Sequence, residues 1–260
     1  MESPIKNILK CLLKRLMKGT NVNPETGLDL NPELVERINK ILNGSSAPSD
    51  PYEEAQLREL AFWRWVAYEG YAGKPPMDFF NHQQKFMTSC YLKTGWSIDK
   101  FRDQEIFELG CGPVGMIEFV IGAKRFAFDP LNEYYSLLFK NLRSEQIQYL
   151  SKKDQILCLP KVDFGICFNV LDHTNDAQEW FGLFFNSIKP GGHFLMQVNT
   201  IKDGFERTEE HNRMHPSPLK FEQVQDMLSK VAENFDFELA EKPSADNEFF
   251  CMAWGQKSLK

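Results

Sequence analysis

Residues 107–115 read FELGCGPVG, which puts one acid, Glu108, at the end of an apolar run and Gly110, Gly112 and Gly115 just beyond it. Glycine at 110 and 112 lets the chain turn sharply and bring its backbone against a ligand that any Cβ would hold off. Turns of this kind between a strand and a helix bind nucleotide-like ligands, and the GxGxxG spacing also suits the pyrophosphate of a dinucleotide. Alone, the motif is equally compatible with a tight turn that holds nothing. Asp129 narrows the choice. It closes the next apolar run, RFAFDP, about 20 residues beyond the glycines, where an acid can accept both hydroxyl protons of a ribose.

Such residues need a framework. After residue 100, short apolar runs alternate with helical stretches, the pattern of a parallel sheet with helices on both faces. Strands are predicted over 105–109, 125–128, 164–168, 193–198, 235–241 and 249–254, with a further one at 147–150 or at 155–159. The last two are separated by Pro243, Asp246 and Asn247 and are expected to pair antiparallel at the sheet end. Helices are predicted over 32–42, 52–71, 79–91 and 219–231. The second has Glu53 and Glu54 in its first turn and Leu57, Leu60, Ala61, Trp65 and Tyr68 at helical intervals, with Gly70 or Gly73 to end it.

Two further segments complete a pattern. Residues 162–174, VDFGICFNVLDHT, read as a strand and its loop, and residues 186–199, NSIKPGGHFLMQVN, as a helix end, a Pro-Gly-Gly turn and a strand. With the glycine turn and Asp129, residues 99–256 resemble the class I S-adenosylmethionine-dependent methyltransferases, whose first motif is E/D-x-G-x-G and whose second strand ends in an acid. The resemblance implies an α/β fold, a Rossmann-like seven-stranded mostly parallel sheet with helices on both faces, and S-adenosyl-L-methionine as cofactor. It implies that Gly110, Cys111 and Gly112 pass close to the methionine part, that Glu108 helps hold its amino group, and that Asp129 with Pro130 binds the ribose. Asn169, Val170 and Leu171 would flank the cofactor beside the reacting centre. Many relatives carry an acidic signal for the adenine amino group after the third strand, where this chain offers Asp154, Gln155 and Ile156.

A sulfonium methyl is already electrophilic, so the protein has mainly to hold the acceptor in line and remove a proton where the acceptor is a hydroxyl. His173, in the loop where relatives bring the acceptor to the methyl, reads either as that base or as a brace for the loop. Asp172 would orient the acceptor; one carboxylate and one imidazole make an incomplete metal site, and no metal is expected. His211 and His215 lie in the long segment 199–219, a candidate lid. His211 is a candidate substrate contact and His215 the second catalytic candidate; the His215–Pro216 pair reads as a border of the acceptor pocket, as in similar small-molecule and sugar methyltransferases, or as the start of a helix. Among Phe62, Trp63, Trp65, Tyr68 and Tyr71, the tyrosines are candidate substrate contacts and the rest cover the site or pack the core. Tyr134 and Tyr135 either stack near adenine or begin a helix. The expected acceptor is a hydroxyl of a saccharide or other polar metabolite. N-methylation of a small metabolite, hydride transfer, and a cofactor-binding scaffold without turnover are the alternatives.

Composition bounds these readings. The chain has 260 residues, enough for one catalytic domain with an extension, divided here into an amphipathic helix and linker (1–50), a helical cap (51–98) and the methyltransferase-like domain (99–260). A net charge of −6 repels phosphate backbones, so no nucleic-acid partner is expected. Cys11, Cys90, Cys111, Cys158, Cys167 and Cys251 form no CxxC pair, which argues against zinc and disulfides and for a reducing cytoplasm. No apolar run approaches the roughly 20 residues that span a bilayer. Residues 5–17 do place Ile5, Ile8, Leu9, Leu12, Leu13 and Leu16 opposite Lys6, Lys10 and Lys14, a basic amphipathic helix. Through residues 5–18 the protein would lie on the inner face of an anionic membrane, or else pack on its own domain or a second subunit as a homodimer. The membrane reading predicts co-sedimentation with anionic vesicles that is lost on deleting residues 1–18.

Overall fold

The computed structural model describes residues 29–44, 48, 50–71, 73–241 and 247–259. The amphipathic helix expected at 5–17, with its membrane or dimer contact, lies outside them, as do residues 45–47 and 49 of the expected linker and residues 242–246. No described helix is long and apolar enough to cross a membrane.

Local sequence sets the first helices. In α1 (Pro32–Leu42) the Asn31 side chain accepts from the Leu34 N–H at 2.9 Å, and Leu34, Ile38, Ile41 and Leu42 form the buried stripe. In α2 (Pro51–Glu69) Asp50 accepts from the Tyr52 N–H, and Gly70 at φ 74° ends the helix by donating its N–H to the Val66 carbonyl. A buried ion pair, Arg64 to Asp29 at 2.6 Å, ties α2 to the segment before α1. Helix α3 runs over Pro76–Lys93, beyond the expected span at both ends, because Pro76 is tolerated in a first turn.

The sheet follows. Its strands are β1 (Glu105–Leu109), β2 (Lys124–Phe128), β3 (Ile147–Leu150), β4 (Val162–Phe168), β5 (Ile188–Ile201), β6 (Leu219–Lys220), β7 (Ala232–Glu241) and β8 (Glu248–Lys257). The order is β3-β2-β1-β4-β5-β8-β7, with β6 paired to β5. β1 to β6 are parallel to one another, and β8 runs antiparallel to both β5 and β7. The remaining helices are α4 (Asn132–Leu138), α5 (Lys153–Leu157), α6 (Ala177–Asn186), α7 (Glu209–Asn212) and α8 (Phe221–Ser229).

The mostly parallel α/β sheet expected from the sequence is present, with three differences. The third strand is 147–150, and the competing run at 155–159 falls largely in α5. An eighth strand appears because Pro216 and Pro218 hold the chain extended as far as Leu219, which pairs with Thr200 and buries its side chain; the helix expected from 219 starts at Phe221. The Pro-Gly-Gly turn is a bulge at the start of β5, where Val162 pairs with Ile188 but Phe164 with His193, and Gly191 takes φ 73°.

Apolar packing fixes these strands. One sheet face buries Phe107, Phe128 and Phe194 together with Phe184 and Phe185 of α6 and with α8. The other buries Tyr91, Phe101, Phe164 and Ile166, with the rings of Phe101 and Phe164 stacked at 4.0 Å. Each such ring is worth about 1.5–3 kcal/mol of burial. Helices α1, α2 and α4 share a third cluster around Leu60, Trp63 and Tyr135. Strand order reverses between β1 and β4, so the crevice at their carboxyl ends is the position where open α/β sheets bind ligands.

Candidate active site

The glycine turn hangs from β2, whose Phe128 carbonyl accepts from the N–H groups of Gly110 (2.7 Å) and Cys111 (3.0 Å). Gly110 sits at φ 68°, and a Cβ there would lie 2.3 Å from the Val170 side chain; Gly112 sits at φ 57° with nothing within 4 Å of the position a Cβ would take. One glycine is therefore required by packing, and the other leaves a hollow. Cys111 is buried with Sγ beside Asn132, and burial pushes its thiol well above the ordinary range, so it is an inert lining group.

Glu108 is 1% exposed and accepts from the N–H groups of Met116 (3.0 Å) and Ile117 (2.9 Å), which open a short 3-10 turn, Met116–Glu118. Burial pushes its pKa up to about 8 although the two donors oppose the shift. Gly115 has to be glycine because a Cβ would meet Glu108 Oε2 at 2.3 Å. Asp129 accepts from the Gly112 N–H (3.0 Å) and the Leu131 N–H (2.9 Å); burial, reinforced by the charge of Glu59, raises it to about 7. Each of its oxygens keeps a second lone pair, enough for a ribose diol.

These groups open into a cavity of about 510 Å³. Its lining carries the carboxylates of Glu59, Glu108 and Asp129 and, among the described residues, no lysine or arginine. A lining of acids without a cationic side chain gives a pyrophosphate no counter-charge, and those of the acids that ionise favour a cation. The N–H groups at the start of the 3-10 turn, where a dinucleotide phosphate would sit, are already taken by Glu108.

On the other side of Val170 lies a directional chain of side chains. Gln197 Nε2–H donates to Asn199 Oδ1 (3.3 Å), Asn199 Nδ2–H to Asn169 Oδ1 (2.5 Å), and Asn169 Nδ2–H to His173 Nε2 (3.3 Å). Asn169 reaches both partners from φ 58°, a conformation asparagine tolerates. The proton of neutral His173 is thus on Nδ1, which lies 3.5 Å from Glu59 Oε2. The His215 ring centroid is 4.1 Å from that of His173, and its Nδ1 is 2.9 Å from Asp172 Oδ2. Donor atoms of Asp172, His173 and His215 fall within 4.8 Å of one another.

Of the residues singled out from sequence, Glu108, Gly110, Cys111, Gly112, Asp129, Pro130, Asn169, Val170, His173, His215 and Tyr71 line this one cavity. Four do not. Leu171 is buried in the sheet core, and Asp172 is buried behind His215. Tyr68 turns away, its ring 4.9 Å from the Arg64 guanidinium. His211 stands 3.4 Å from Glu248 on β8. Tyr134 and Tyr135 belong to α4 and its core rather than to the cavity. Asp154 and Ile156 are also elsewhere, and Gln155 caps α5 by accepting from the Ser151 and Lys152 N–H groups. The rings of Phe128 and Trp180, 5.5 Å apart, line the cavity instead. Trp180 escaped notice in sequence, as did Gln83, Phe86, Gln197, Asn199 and Phe250. Gln197 and Asn199 did carry a signal, two amides on one face of an otherwise apolar strand.

No protein-family model matches the sequence, and a search of curated proteins finds no match. Solved structures do match. Phosphoethanolamine N-methyltransferase 2 of Haemonchus contortus, bound to phosphomonomethylethanolamine and S-adenosylhomocysteine, aligns over 82% of this chain and 61% of its own with TM-score 0.59 and 12% identity. The chain thus spans less than two thirds of that protein. The N-methyltransferase NodS of Bradyrhizobium japonicum, bound to S-adenosylhomocysteine, aligns over 82% of this chain and 100% of its own with TM-score 0.54 and 16% identity. The 1,6-didemethyltoxoflavin-N1-methyltransferase of Burkholderia thailandensis aligns over 82% and 93% with TM-score 0.52 and 15% identity. The chain has the fold of the class I S-adenosylmethionine-dependent methyltransferases.

Proposed function

We propose that the protein binds S-adenosylmethionine and transfers its methyl group to a hydroxyl of a small polar acceptor, a saccharide or similar metabolite. The observation that carries this reading is the occupation of the turn's N–H groups by Glu108 in a cavity lined by acids and by no lysine or arginine among the described residues, which leaves a dinucleotide phosphate neither donors nor counter-charge and suits a cationic sulfonium nucleoside. In this reading Asp129 holds the ribose diol, the hollow at Gly112 admits the methionine part, and Trp180 with Phe128 flanks adenine. Glu108 acts on the cofactor mainly by shaping the loop. The bound cofactor supplies an electrophilic methyl; the chain's own residues orient the acceptor and accept its proton.

Polar and aromatic groups together support a hydroxylated acceptor. Gln83 Oε1 and Gln197 Oε1 are buried, have no hydrogen-bond partner among the described residues, and belong to side chains that line the cavity. Each requires a donor such as an acceptor hydroxyl. Phe86, Phe168 and Phe250 offer ring surface, with Phe86 and Phe250 at 5.3 Å. N-methylation is the second reading, favoured by the names of the three similar proteins above, each an N-methyltransferase.

Purified protein incubated with methyl-labelled S-adenosylmethionine and two acceptor sets, polyhydroxylated compounds and small amines, separates these readings. Label on hydroxyls is expected. Label on amines alone overturns the hydroxyl assignment, and cofactor binding with no transfer to either set overturns the enzyme in favour of a scaffold.

A further inference from the structure

Residues 202–218, after β5, bring His215 back onto the loop after β4. Ser217 donates its N–H to the Asp172 carbonyl (3.2 Å) and its hydroxyl to the Thr174 carbonyl (2.6 Å), and the His215 N–H donates to the His211 carbonyl (3.0 Å). His215 and Asp172, 43 residues apart, are thereby held side by side. We propose that His215 is the base that takes the acceptor's proton and that Asp172 is the positioning residue that fixes its tautomer and orientation, an assignment that rests on the methyl-transfer reading above.

The chemistry follows from where protons already are. Burial opposes ionisation of Asp172, which is 0% exposed, yet His173, His215 and Arg207 outweigh it and hold the carboxyl well below the usual range. An ionised Asp172 makes His215 Nδ1 the donor, so a neutral ring carries its lone pair on Nε2, which no described residue engages. His173 is in the opposite condition, because its Nε2 already accepts from Asn169. Of the two imidazoles lining the cavity, only His215 has a free basic nitrogen at Nε2.

The groups around His215 act in opposite directions on the charge it would acquire, Asp172 favouring it and burial opposing it. They are Asp172 on one ring edge, His173 and His211 on its faces at 4.1 and 4.6 Å, and Arg207 and Glu248 behind, with Glu59 beyond His173. Asp172, Arg207 and Glu248 are buried together behind the ring. Burial lowers His215 to about 4 while Asp172 pulls upward, so the ring is neutral and its Nε2 lone pair is available throughout the neutral range. In the transfer, the acceptor O–H bond breaks and its proton goes to His215 Nε2. The oxygen pair forms the new O–CH₃ bond, and the S–CH₃ pair returns to sulfur, so the positive charge passes from sulfonium to imidazolium and leaves as a proton to solvent.

The test combines a spectroscopic and a kinetic reading. In wild-type protein bound to S-adenosylhomocysteine, nitrogen-15 NMR of the imidazoles is expected to show His215 protonated at Nδ1 alone at pH 7. With cofactor saturating, kcat/KM for the acceptor is expected to stay flat from about pH 6 to 8, where a base of ordinary pKa near 6.5 would lose roughly fourfold. Asp172→Asn is expected to lower kcat about 10²- to 10⁴-fold with S-adenosylhomocysteine affinity within about threefold, and His173→Gln to cost under about tenfold. Cofactor product that binds while His215 carries its proton on Nε2, or Asp172→Asn turning over like wild type, overturns the dyad and leaves the methyl-transfer reading standing. Failure of the wild-type protein to bind S-adenosylhomocysteine overturns both. The wild-type NMR reading stands even if the Asp172 variant does not fold.

Discussion

Asp129→Ala is expected to weaken S-adenosylhomocysteine binding by about 10²- to 10⁴-fold, measured by calorimetry. Two hydrogen bonds from a ribose diol to an ionised carboxylate are worth about 1.5–3 kcal/mol each, and the loss of both corresponds to that factor. The same substitution leaves the Gly112 and Leu131 N–H groups without their acceptor, so a lower Tm should accompany the lost affinity. The pH dependence separates the two effects. The free carboxylate titrates near 7, raised by burial and by Glu59, and only its ionised form can accept both hydroxyl protons. Affinity should therefore fall as pH drops below about 7, approaching tenfold per unit, in wild type and not in the alanine variant. An affinity independent of pH in wild type, or an Asp129→Ala variant that binds like the parent, would remove Asp129 from the ribose site.

Gly110→Ala and Gly112→Ala are expected to fail for different reasons. Both positions take a positive φ that costs an alanine about 1–2 kcal/mol. At Gly110 the added methyl also meets the Val170 side chain at 2.3 Å, within a sheet end that has little room to relax. A total of about 2–4 kcal/mol lowers Tm by roughly 4–16 °C for a chain of this size. At Gly112 nothing lies within 4 Å, so the fold should bear the change better while the methyl enters the space assigned to the cofactor. Calorimetry should then show at least about tenfold weaker S-adenosylhomocysteine binding by a protein that melts only a few degrees low. Equal binding by Gly112→Ala and wild type would place the cofactor elsewhere.

The parts of this site legible in the sequence are those set by local geometry. A strand that ends in Glu108, a turn needing positive φ at Gly110 and Gly112, and a second strand ending in Asp129 are each written within a few residues, and the parallel sheet aligns Leu109 with Phe128 so that the pieces meet. What sequence left open depends on distant residues. Nothing near His173 shows that its Nε2 is engaged, because the donor chain reaches it from Gln197 and Asn199 on the neighbouring strand. Asp172 reads as a substrate contact until the segment carrying His215 is folded over it. Gln83 and Phe86 sit on a helix whose sequence resembles a surface helix, and only packing turns them toward the sheet end. Tyr68 shows the reverse error: its spacing marks the buried side of α2, where Arg64 covers the ring.

The central claim is that the strand-end crevice between β1, β2 and β4 is built for a sulfonium nucleoside and against a dinucleotide. Calorimetry of the full-length protein with S-adenosylhomocysteine and, separately, with the oxidised and reduced nicotinamide dinucleotides tests it most directly. Saturable uptake of one equivalent of the nucleoside and no heat from either dinucleotide is the predicted result. Folded protein that ignores S-adenosylhomocysteine, or that takes up a dinucleotide in its place, would contradict it.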